Sequence, residues 1–317
     1  MFNRILVPVD RSPLAECVLP HAAALARAFE SRLLLVHVME APRRGSWRRA
    51  VDPLNWRIRK TEAESYLDEL ALRLKDAGVT SERQVLEGPA ADQIVDLSHR
   101  EEIPLVLLSS HGQSGLSGWN VSSVVQKIIL RAHTSIMIVR AYEPASADIS
   151  SLHYRRILLP MDGSQRAEFV LPVASTLARL HEAEILLAHV VRRPEMPRQM
   201  PPAAQDVELA DRLVERNQQE AARYLDQLRS RLPANAETRV IVGEHVASTL
   251  HELVEQEHID LVLLTAHGYS SQNRWPYGSV VSSLITYGGT ALLIVQDMPQ
   301  HEIKPTRAEI AVERSGS

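Results

Sequence analysis

The feature that most constrains this chain is that it says the same thing twice. Arg4-Ile-Leu-Val-Pro-Val-Asp10-Arg-Ser12 returns as Arg156-Ile-Leu-Leu-Pro-Met-Asp162-Gly-Ser164, a shift of 152 positions. That shift also carries Val18-Leu19-Pro20 onto Val170-Leu171-Pro172 and His37-Val38 onto His189-Val190. Farther on, Ser110-His111-Gly112 matches Ala266-His267-Gly268, and Ser122-Ser123-Val124-Val125 matches Gly278-Ser279-Val280-Val281, both at a shift of 156. The extra four residues fall between the second and fourth strands of the repeat, where a loop absorbs them. A sequence repeated at this length folds as two copies of one unit.

Each half alternates apolar runs with helical periodicity. In the first, Ile5–Val9, Leu33–Val38, Gln84–Leu86, Leu105–Leu108 and Ile136–Val139 read as strands. Helices near 55–77, 90–101 and 122–132 separate them. Ser12 offers an N-cap with Pro13 at the first helical position, followed by Leu14, Val18, Ala22, Leu25 and Phe29 at helical spacing. Continuous Val/Ile/Leu strands between helices indicate a parallel sheet covered on both faces. The expected fold class is therefore α/β: two tandem Rossmann-like domains, each a five-stranded, parallel, doubly wound sheet. The expected boundaries are 1–142 and 153–297, with a Pro-containing polar linker at 143–152 and a flexible polar tail at 298–317. In such sheets ligands sit at the carboxyl ends of the strands, where Asp10, Val38 and Ser109 fall.

Composition removes several functional classes. The 317 residues carry 35 basic and 39 acidic side chains, a formal charge of −4, so no overall positive field draws nucleic acid. Cys17 is the one cysteine, which excludes an internal disulfide and a cysteine-rich metal site. The apolar N-terminus reaches Asp10 too soon for a secretion signal, and no run of about 18 apolar residues is present to span a bilayer. A cytoplasmic protein without a membrane partner is the expectation. Neither G-x-x-x-x-G-K-[ST] nor G-x-G-x-x-G after the first strand occurs, and the 13 histidines show no pair at zinc-ligand spacing.

The loop after the fourth strand carries the chemistry. It reads Ser109-Ser-His-Gly112, nine residues, then Ser122-Ser123 in one half, and Thr265-Ala-His-Gly268, nine residues, then Gly278-Ser279 in the other. Glycines let backbone amides approach an anion, and the helix that follows presents its positive end. This loop, together with Val-Pro-x-Asp after the first strand and His-Val at the second, resembles the phosphate loop and adenine site of the universal stress protein family. The resemblance covers nearly the whole chain twice. It implies an adenine nucleotide alpha hydrolase-like fold and a stress-response role with ATP, accompanied by Mg, as cofactor. By that resemblance Asp10 or Asp162 holds the ribose and Val38 or Val190 lies against the adenine. The stronger implied site comprises Pro160, Asp162, Val190, Thr265, Gly268, Gly278, Ser279 and Val280. The weaker one comprises Pro8, Asp10, Val38, Ser109, Gly112, Ser122, Ser123 and Val124. The same resemblance implies an intramolecular pseudo-dimer through the apolar fifth strands, and a homodimer beyond it.

The second half is favoured because it departs less from the family pattern. Ser109 and Thr265 replace the first loop glycine, and Ser122 replaces the third in one half only. Side chains there are expected to narrow the cradle or to strain the backbone. Arg11 also stands where the second half has Gly163. His111 and His267, each beside a loop glycine, read as turn formers. Arg43-Arg44-Gly-Ser-Trp47-Arg48-Arg49 and Trp56-Arg57-Ile-Arg59-Lys60 read as a solvated basic loop or a phosphate-binding patch. Cys17 reads as a packed thiol on the first helix. Three functions stay open: an ATP-binding regulatory module, a nucleotide-free interaction scaffold, and a slow ATPase. Beyond Asp162, no general base or metal-holding carboxylate pair is evident, so the enzyme reading ranks last.

Overall fold

A computed structural model describes residues 1–40, 53–113, 115, 121–141, 148–194, 204–269 and 276–297. They divide into two compact units, Met1–His153 and Tyr154–Asp297. The Arg43–Arg49 run, residues 143–147 of the expected linker and the 298–317 tail lie outside the described residues.

Unit 1 runs β1 (Arg4–Pro8), α1 (Val18–Phe29), β2 (Arg32–Met39), α2 (Pro53–Asp76), β3 (Ser81–Glu87), α3 (Ala90–Arg100), β4 (Leu105–Ser109), α4 (Ser123–Arg131) and β5 (Ser135–Val139). Its strands lie parallel in the order β3-β2-β1-β4-β5. Unit 2 repeats the plan with β6 (Arg156–Pro160), α5 (Leu171–His181), β7 (Glu184–Arg192), α6 (Ala204–Arg229), β8 (Ala236–Gly243), α7 (Val246–Gln256), β9 (Leu261–Thr265), α8 (Ser279–Tyr287) and β10 (Ala291–Val295). Its parallel order, β8-β7-β6-β9-β10, is the same arrangement. Helices pack on both faces of each sheet. The central strands are buried along their middles, as their apolar sequences require: Ile5, Leu6 and Val7, and likewise Ile157, Leu158 and Leu159, are 0% exposed. In each unit the winding reverses between the first and fourth strands (β1 and β4, β6 and β9), which opens a crevice at their carboxyl ends.

Two local expectations are corrected. The first helix does not start at Pro13. Ser12 caps a 3₁₀ turn at Ala15–Cys17 by accepting the Ala15 amide at 3.1 Å, and the α-helix begins only at Val18. The reason is Pro20, which has no N–H and whose ring would clash with the carbonyl of residue 16 in a helix already running. Starting at Val18 puts Pro20 in the first turn, where proline is tolerated; Pro172 does the same in α5. Cys17 accordingly belongs to this turn rather than to the helix. The third strand is also longer than its apolar kernel, because Ser81–Gln84 pair with Leu33–Val36 through backbone bonds that polar side chains do not disturb.

Candidate functional site

The chain turns sharply where β1 ends, and Asp10 organises the turn. Its Oδ1 accepts from the Ser12 amide at 3.1 Å and the Ser12 hydroxyl at 2.6 Å, while Oδ2 accepts from the backbone amide of Gln113 in the loop after β4. Asp162 repeats this with Ser164, at 3.0 and 2.6 Å, and with the Tyr269 amide. Each carboxylate thus ties the switch-point strands together at their carboxyl ends. The neighbouring Gly112 and Gly268 have to be glycine for space, since a Cβ at either would run into the aspartate Oδ2.

The substituted loop positions behave differently from expectation. Ser109 Oγ donates to the His111 carbonyl at 2.6 Å, and Thr265 Oγ1 donates to the His267 carbonyl at 2.8 Å. These hydroxyls do not stand free in the loop but brace its turn. Nor is there strain at the third loop position. Ser122 lies at φ −69°, ψ 160° and Gly278 at φ −68°, ψ 167°, extended angles open to any residue. What differs is the helix start. Ser122 Oγ accepts the Val125 amide at 3.3 Å and caps α4, whereas α8 begins at Gly278 with no side-chain cap. The strained position lies elsewhere, at Arg11 with φ 68°, against φ 83° for Gly163.

All eight residues of the first set, Pro8, Asp10, Val38, Ser109, Gly112, Ser122, Ser123 and Val124, line one cleft of about 460 Å³. All eight of the second, Pro160, Asp162, Val190, Thr265, Gly268, Gly278, Ser279 and Val280, line an inner cavity of about 110 Å³. That cavity shares Asp162, Val190, Ser279 and Val280 with an outer trough of about 1030 Å³. Clefts of roughly 300–1,000 Å³ are the usual size for small-molecule ligands.

Several wall residues were not among the site residues named from the sequence. Arg11, Glu40 and Arg59 line the cleft of unit 1, and Arg192, Tyr224, Glu244 and Tyr269 line the trough of unit 2. They come from strand-end, loop and helix positions whose direction depends on tertiary packing, so the loop motif does not mark them. His37 and His189 line the walls too; burial pushes both imidazoles below their ordinary value and favours the neutral ring. The His37 Nδ1 lies 2.9 Å from the Val9 carbonyl. His267 is more than a turn former: its Nδ1 sits 2.9 Å from Oδ1 of the buried Asp297. In unit 1 the Nδ1 of His111 lies 3.1 Å from the Ser110 hydroxyl instead. Of the Trp56–Lys60 run, Arg59 donates to the Glu40 carbonyl at 3.2 Å and Lys60 approaches Glu87 at 3.8 Å. Among the described residues no helix is long and apolar enough to cross a membrane.

Comparison with known proteins fits this double arrangement. The model of the universal stress protein family matches residues 1–140 and again 153–296. Universal stress protein Rv2623 of Mycobacterium tuberculosis is 24% identical over 306 residues, covering 92% of this chain and 96% of its own. Universal stress protein A homolog 1 of Coxiella burnetii is 31% identical over 119 residues, covering 36% of this chain and 81% of its own. The crystal structure of a universal stress protein from Archaeoglobus fulgidus superposes over 94% of this chain and 100% of its own, with a TM-score of 0.62 and 15% identity.

Proposed function

The chain belongs to the universal stress protein family, and from that premise we propose that it is a stress-response protein that binds adenine nucleotide, ATP with Mg, and acts through binding rather than turnover. The observation that carries this reading is the convergence, in each unit, of all eight motif residues on one crevice at the strand switch point. Unit 2 is the favoured ATP site. There α8 starts without a side-chain cap beside Gly268 and Gly278, which suits its first amides to phosphate oxygens. In unit 1 the Ser122 hydroxyl already takes one such amide. When bound, the nucleotide supplies the phosphate charge that these groups receive. Asp162 keeps acceptor capacity for a ribose hydroxyl, and Val190 offers the base an apolar contact.

The test is extraction and chromatography of nucleotide from freshly purified protein, followed by calorimetric titration of the full chain with ATP and Mg. Co-purified adenine nucleotide, or saturable ATP binding, supports the proposal. A folded chain that carries none and binds none moves the reading to an interaction scaffold of the same fold. Steady ADP production that disappears in Asp162→Asn would instead favour a slow ATPase. Pairing of the two halves through their fifth strands, and a homodimer beyond it, belong to the same proposal. Cross-linking between cysteines placed at the ends of β5 and β10 tests the first, and sedimentation tests the second.

A further inference from the structure

This inference rests on the nucleotide reading and concerns the base end of the cleft in unit 1. Val38 lies near the carboxyl end of β2 and Glu40 is the first residue after that strand. Both line the cleft, as does Arg59 from α2. The Glu40 carboxylate is held in place: Oε1 accepts from the Ala90 amide at 2.8 Å, where α3 begins. One carboxylate oxygen remains to accept from a ligand. Arg59 is held from two sides, by its 3.2 Å bond to the Glu40 carbonyl and by the Trp56 ring, whose centroid lies 5.3 Å from the guanidinium carbon. A carboxylate acceptor tied to the Ala90 amide and a guanidinium donor tied to the Glu40 carbonyl therefore line the cleft together with Val38.

Unit 2 reverses this wall. Arg192 follows Val190 by two residues as Glu40 follows Val38. Asn217 precedes the buried Ala221 by one helical turn as Arg59 precedes the buried Ala63. Both line the trough. At the place of the carboxylate acceptor there is now a guanidinium donor.

We propose that Glu40, supported by Arg59, selects a purine that carries an amino group at position 6, so that unit 1 discriminates the base while unit 2 does not. The edge of adenine offers an amino donor next to a ring-nitrogen acceptor, the complement of a carboxylate beside a guanidinium. On the edge that carries N7, a 6-oxo purine presents only acceptors, its carbonyl oxygen and N7, so the carboxylate finds no donor there. A site built to hydrogen-bond one group rejects an analogue that lacks it far better than an apolar slot does.

The experiment is titration of the full chain carrying Gly278→Val, which obstructs the loop of unit 2, with ATP and with inosine triphosphate, which has oxygen in place of the 6-amino group. ATP is expected to bind about tenfold tighter or more. Glu40→Gln on that background keeps an oxygen for the Ala90 amide and presents an NH₂ donor to the ligand, so the preference should vanish or invert. A purely structural Glu40 would change the melting temperature and leave the ATP-to-inosine-triphosphate ratio where it was, which overturns the proposal. If the Gly278→Val chain binds neither nucleotide while the parent binds ATP, base selection in unit 1 falls and the nucleotide reading stands. If the parent also binds neither, both fall.

Discussion

Oδ2 of Asp10 fills the space that a Cβ at Gly112 would need, and the pair Asp162 and Gly268 repeats the relationship in unit 2. The close approach also places Oδ2 against the next amide in the loop, so one contact fixes both the residue type at 112 and the position of the phosphate-loop candidate. Gly112→Ala or Gly268→Ala should therefore destabilise its unit by about 1–3 kcal/mol, the range for overpacking. Urea denaturation checks this. In a chain that also carries Asp10→Ala, Gly112→Ala should cost much less than it does alone, because the colliding oxygen is gone. Additive costs would mean that the glycine serves another purpose.

Gly278→Val should lower ATP affinity at least tenfold while the fold survives. The loss comes from obstruction, since extended angles at this position accept valine without strain. Each charge-assisted hydrogen bond lost is worth roughly 1.5–3 kcal/mol, and tenfold in affinity is about 1.4 kcal/mol. The converse change, Ser122→Gly, should cost only a few tenths of a kcal/mol in stability and strengthen nucleotide binding in unit 1. Calorimetric titration beside thermal melting reads both.

Acid should weaken the fold through His37 and His189. Burial is the largest influence on each, and it lowers the folded-state pKa beneath the ordinary 6.5. The unfolded chain then takes up protons first as pH falls. The stabilisation is complete above about pH 6.5 and is lost as pH drops through the folded values. The melting temperature should fall between pH 7.5 and 5.5, and His37→Gln should flatten part of that slope. An unchanged slope would remove His37 from the account.

Cys17 should be unreactive in the native protein. Burial raises its thiol to about 11, with a smaller opposing contribution from the Ser109 hydroxyl at 3.5 Å, so little thiolate exists at neutral pH. Labelling with a maleimide at pH 7 should be slow and become fast in denaturant. Rapid labelling of folded protein would show that the turn at Ala15–Cys17 opens readily.

The strands were legible because a parallel sheet buried on both faces writes itself as unbroken apolar runs such as Ile5–Val7 and Leu105–Leu108. The helix starting at Val18 was not, because the cap signal at Ser12-Pro13 is local while Pro20, seven residues on, vetoes the helix it announces. The motif residues could be named because glycines and the terminal Asp occur at fixed offsets along the chain. Glu40 and Asp297 could not. Each takes its place from a partner distant in sequence, Ala90 or His267, and spacing along a chain does not report such meetings.

The near-identical backbone angles at Ser122 and Gly278 bear on how two copies in one chain can diverge. A glycine codon and a serine codon can differ by a single base, and here the main chain does not register the exchange. One copy can therefore acquire a capping hydroxyl, and the other can shed it, with no intermediate that misfolds. Gene duplication usually has to trade integrity for novelty; at this position novelty comes without that trade.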